Sequence, residues 1–78
     1  MSRYFLHLRD GDELIEDLEG SEFPDLEAAR AEAIGAARDF VADQARSGRI
    51  MDQWQYEIWD AAGRMLAAVP LRAAVVLP

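Results

Sequence analysis

His7 is the only histidine in the chain, and a strand period of two would place Phe5 and Arg9 on the same face as its imidazole. An imidazole beside a guanidinium and an aromatic ring has the parts of a general base or a ligand contact. General-base work also needs a nucleophile within reach. Cysteine is absent, and Ser2, Ser21 and Ser47 read as terminal, loop and helix-end residues. A Ser-His-acid triad is therefore not expected, and no enzyme is predicted.

The carboxylates offer a second chemistry. Asp10, Asp12, Glu13, Glu16, Asp17, Glu19, Glu22, Asp25 and Glu27 follow one another with no base between them. A calcium loop needs oxygen ligands at its first, third and fifth positions. A loop starting at Asp10 puts Leu14 at the fifth, and one starting at Asp12 puts Leu14 at the third. Both registers fail, so the run reads as a solvated acidic hairpin, with neither metal nor cofactor expected. The glycines are scattered and form no phosphate-cradling loop. Arg30 falls about 40° from Leu26 on a helical wheel, inside the apolar arc. An ion pair to a carboxylate of the acidic hairpin is the preferred expectation for it.

These residues must be positioned by few elements. The chain has 78 residues, a net charge of −7 and no lysine. That length allows one domain, here residues 1–78, and so small a domain buries only about 60% of its unfolded surface. Marginal stability without disulfides favours association with a second copy, so a homodimer is expected. The acidic balance repels phosphate backbones and anionic membranes, which argues against nucleic-acid and membrane partners. The longest apolar stretch, Leu66 to Pro78, is interrupted by Pro70 and Arg72. It is well short of the roughly 20 residues a membrane-spanning helix needs. Met1-Ser2-Arg3 leads straight into a strand-like run, so no secretory signal is read and a cytoplasmic location is expected.

Strands are predicted at about 3–9, 13–17, 53–59 and 64–69, a helix at 26–46, and an apolar tail at 71–78. Asp10-Gly11 suits a tight hairpin, and Leu18 to Pro24 reads as a connector. Asp25 is placed as N-cap, with Gly48 and its flanking Arg46 and Arg49 as the stop. Leu26, Ala29, Ala33, Ile34, Ala36, Ala37, Phe40, Val41 and Ala45 share one half of the wheel. The expected fold is α+β: a two-layer β-β-α-β-β unit, its largely antiparallel four-stranded sheet carrying one long amphipathic helix on one face. Tyr4, Leu6, Leu8, Trp54, Tyr56 and Ile58 would face that helix. Phe5, His7, Arg9, Gln55, Glu57, Trp59 and Leu66 would lie opposite. A helix of about 21 residues spans roughly 32 Å, against about 20 Å for a six-residue strand. Its far end therefore needs another apolar surface, from the tail of the same chain or of a partner.

The run Arg3 to Gly11, Asp17-Leu18-Glu19-Gly20 and Pro24 to Ala33, followed by Tyr56 to Asp60, Gly63 and Val69-Pro70-Leu71, resembles a family of small bacterial domains. It is a domain of unknown function common in alphaproteobacteria, and the resemblance spans nearly the whole chain. The resemblance implies no reaction or ligand. Leu71 departs from it, standing where the family pattern has an aromatic.

Taken together, the sequence points to a non-enzymatic interaction module that self-associates through the outer sheet face, the sheet edge or the C-terminal tail, with Phe5, His7, Arg9, Trp59 and Leu66 as the candidate interface or ligand patch. Two uncovered aromatics on a polar face, an overlong helix and an apolar ending are its grounds. A small-ligand-binding or regulatory domain using that face is the alternative. An antitoxin-like regulator is a third, disfavoured by the charge.

Overall fold

The computed structural model describes residues 1–46 and 53–74. It is α+β: strands β1 (Ser2–Asp10), β2 (Glu13–Ile15) and β3 (Ser21–Phe23), helix α1 (Leu26–Arg46), strands β4 (Trp54–Asp60) and β5 (Met65–Pro70), and a 3₁₀ turn, Leu71–Ala74. All pairings are antiparallel, in the order β2-β1-β4-β5, with β3 also on β1. The two long strands β1 and β4 thus occupy the middle and pair along seven positions, from Tyr4↔Asp60 to Asp10↔Trp54.

The connector expected at Leu18–Pro24 holds a strand. β2 ends at Ile15 and pairs only Leu8, Arg9 and Asp10 of β1, while β3 pairs Ser2, Arg3 and Tyr4 on the same edge. The sheet therefore has five strands rather than four. Ser21-Glu22-Phe23 is too short and too polar to signal a strand by its own alternation. It is extended because β1 is longer than β2 and offers the unpaired edge. The first hairpin differs in detail as well. Asp10 pairs Glu13, so the loop is Gly11-Asp12, and only Gly11 takes a positive φ, 58°. Glycine at the first loop position is the pattern of a II′ turn.

Asp25 caps α1: its Oδ1 accepts the Ala28 N–H at 2.9 Å. The proposed stop at Gly48 and Arg49 lies outside the described residues, as do the side chain of Arg46 and the tail beyond Ala74. The helix meets the sheet through alanines. Ala29, Ala33 and Ala37 are fully buried, so the backbone of α1 rides close to the strands. Around Ala29 and Ala33 gather Ile58, Val69, Tyr4, Leu6 and Phe23. A second cluster joins Ala37 to Leu8 and Leu71, with Phe40, Val41 and Trp54 against it.

That second cluster answers the overlong helix. Phe40 meets Trp54 at a ring-centroid distance of 5.1 Å, and Leu71, fully buried, is folded back beneath α1 by the 3₁₀ turn. The start of the tail thus covers the helix within the same chain. Leu71 packs there with Ala37 and Leu8, and Phe40, Trp54 and Tyr56 close around the three.

Candidate functional site

On the sheet face away from α1, register sets Phe5 opposite Trp59, His7 opposite Glu57 and Arg9 opposite Gln55. At the centre of this face stands a buried charge. Glu57 is 3% exposed. Its Oε2 accepts Arg9 Nε–H and Gln55 Nε2–H, each at 3.0 Å. Its Oε1 accepts Trp59 Nε1–H at 3.0 Å and Arg9 Nη2–H at 3.4 Å. Four donors from three side chains thus close over one carboxylate. The hydrogen bond from Arg9 is the main reason the Glu57 carboxyl titrates below its ordinary value, outweighing the opposing effect of burial.

His7 is held from the other side. β2 and β3 leave Phe5, Leu6 and His7 without a strand neighbour on that edge of β1, and residues Glu16 to Gly20 run past the gap. The Asp17 carboxylate substitutes for the missing strand: Oδ2 accepts Leu6 N–H at 3.2 Å and Oδ1 accepts Gly20 N–H at 3.1 Å. The Asp17 N–H in turn donates to His7 Nδ1 at 2.9 Å. Nδ1 must therefore be an unprotonated acceptor, which places the ring proton on Nε2. Arg3 Nη1 donates to the Glu19 carbonyl at 2.8 Å and fastens the far side of the loop. Gly20 (φ 69°) presses against β1, so that a Cβ there would lie 2.8 Å from the Tyr4 carbonyl oxygen.

Between this loop, the β4–β5 turn and the sheet lies an open groove of about 270 Å³, lined by Phe5, His7 and Trp59 with Glu16, Asp17 and Asp60. The imidazole is roughly parallel to Phe5 (26°, centroids 6.2 Å) and angled to Trp59 (61°, 5.5 Å). The three half-buried rings form an angled wall. Asp60 is fixed at the rim, where Oδ1 accepts the Ala62 and Arg64 N–H groups and Oδ2 meets Arg64 Nε at 3.2 Å.

Three of the residues singled out from sequence, Phe5, His7 and Trp59, therefore converge on one groove. The others do not. Arg9 is engaged with Glu57, its Nε 3.0 Å from Oε2, and does not line the groove. Leu66, 40% exposed, borders a different depression beside Ser2, Arg3 and Tyr4. Arg30 is exposed on α1, and among the described residues no ion pair joins it to the acidic hairpin. The contact stripe is the narrow Ala29-Ala33-Ala37 line, so Arg30, one step past Ala29, turns outward to solvent. The sequence puts Glu57 on this face without a role, reads Asp17 as the end of the second strand, which stops instead at Ile15, and reads Gly20 as part of the connector. Asp-x-x-Gly, a carboxylate able to reach the amide three residues on, was the available signal.

Among the described residues no group of three or more metal-ligating side chains converges, and no helix is long and apolar enough to cross a membrane. No curated protein and no solved structure matches the chain. A family model described as a domain of unknown function (DUF6894) matches residues 3–72, and the chain belongs to that family.

Proposed function

We propose that this member of the family is a non-enzymatic interaction module that self-associates by pairing β5 with β5 of a second copy. The observation that carries this reading is the contrast between the two sheet edges. The β2/β3 edge is split into two three-residue strands and carries Glu13 and Glu22, features that discourage pairing with a foreign strand. β5 is six residues long, carries no charge and has no strand on its outer side among the described residues. A register shift opposite its start, between Ile58 and Trp59, leaves Met65 51% and Leu66 40% exposed.

A second copy is the occupant that the charge favours. Two chains of net charge −7 repel over most of their surfaces, and an uncharged strand is where they approach at least cost. Antiparallel β5–β5 pairing about a two-fold axis is self-complementary and continues the sheet across both copies. Sedimentation of the full chain at tens of micromolar should give a dimer. Met65→Lys with Leu66→Lys should give a folded monomer. A wild-type monomer at that concentration, or a dimer unaffected by the two lysines, would overturn the reading.

A further inference from the structure

The groove between His7 and the acidic loop is separate from the β5 edge, and its chemistry points to a ligand of definite sign. Its wall is aromatic, and of its lining carboxylates Asp60 is paired with Arg64, whereas Glu16 and Asp17 make no ion pair among the described residues. The nearby arginines are committed elsewhere. Arg9 lies on Glu57 at 3.0 Å, and Arg3 is drawn to Glu22 at 3.8 Å and to the Glu19 carbonyl. Arg64 reaches Asp60 from outside the groove. Asp17 is held by neutral backbone N–H groups, which fix its carboxylate without cancelling its charge. Glu16 is exposed and makes no ion pair among the described residues. The imidazole adds no positive charge while its Nδ1 accepts the Asp17 N–H.

We propose that this groove binds a small quaternary-ammonium cation. The faces of angled aromatic rings attract a diffuse cation through their quadrupoles, and nearby carboxylates add long-range attraction. The ring wall provides the first, with His7 set at 61° to Trp59, and the acidic loop the second. An inorganic divalent ion is a poorer match, because the rings offer no oxygen ligands and no three ligating groups meet among the described residues. An anion meets the wrong sign. A volume of about 270 Å³ is just below the usual range for drug-sized ligands, so the occupant is small.

Choline and its neutral carbon isostere, 3,3-dimethylbutan-1-ol, separate charge from shape. Titration of the full chain, followed by the Trp59 indole N–H and His7 ring resonances, should show saturable shifts with choline at millimolar concentration. The isostere should bind about tenfold more weakly. Glu16→Gln, an exposed change checked for folding by circular dichroism, should weaken choline about threefold, and Phe5→Leu should weaken it further. Equal binding of the isostere, or no saturable shift at tens of millimolar, would overturn the proposal. Neither result depends on whether β5 pairs.

Discussion

The Arg9 guanidinium and the Glu57 carboxylate form a bidentate pair, with Nε at 3.0 Å from Oε2 and Nη2 at 3.4 Å from Oε1, across the two central strands. The arginine side chain is 31% exposed and the glutamate 4%. This asymmetry decides what happens when either partner is lost.

Arg9→Ala leaves a buried carboxylate with only the Gln55 and Trp59 donors, whereas Glu57→Ala lets the arginine turn to water. The first should cost about 3 kcal/mol and the second about 2 kcal/mol. Urea unfolding of both single variants and the double variant should return a favourable coupling of about 1–2 kcal/mol. Additive effects would mean that the pair is only a surface contact.

Glu57 also sets a pH dependence. Its carboxyl titrates below the ordinary value of 4.5 in the folded chain, so ionisation favours folding. The contribution is complete above that ordinary value and is lost as pH falls through the lower, folded one. The midpoint of thermal unfolding should therefore drop between pH 5 and pH 3 more steeply in the wild type than in Glu57→Gln. Parallel profiles would remove Glu57 from the account.

Three glycines should respond to alanine with different signs and sizes. At Gly20, a positive φ combines with a Cβ 2.8 Å from the Tyr4 carbonyl and 2.9 Å from Phe5 ring carbons, so Gly20→Ala should cost about 2–4 kcal/mol. Gly63 shares the positive φ, 85°, in open space, and its alanine should cost about 1 kcal/mol. Gly35, inside α1 with nothing near, should gain about 0.5–1 kcal/mol as alanine. Thermal denaturation ranks all three, and any other order contradicts the placement of the loop.

Asp17→Ala should leave the fold intact while the Leu6 and Gly20 amides, which donate to its carboxylate, lose hydrogen-exchange protection. His7→Ala should instead expose the amide of Asp17 itself. Unchanged exchange at Leu6 in Asp17→Ala would show that the carboxylate does not replace the missing strand.

Local patterns settled much of this protein. Alanine periodicity and Asp25 marked α1, and alternation assigned Tyr4, Leu6, Leu8, Trp54, Tyr56 and Ile58 to the helix side, because helix and strand periods are properties of neighbouring residues. The same alternation put Phe5, His7 and Trp59 together on the other face. Tertiary structure alone decided which edge β3 would fill, that Asp17 would complete the ladder, that Arg9 would serve Glu57 and that Leu71 would fold beneath the helix. Each of these joins groups distant in the chain, and each arises where one element is longer than its partner or one charge is enclosed by others. Such geometry exists only once the strands have taken their order.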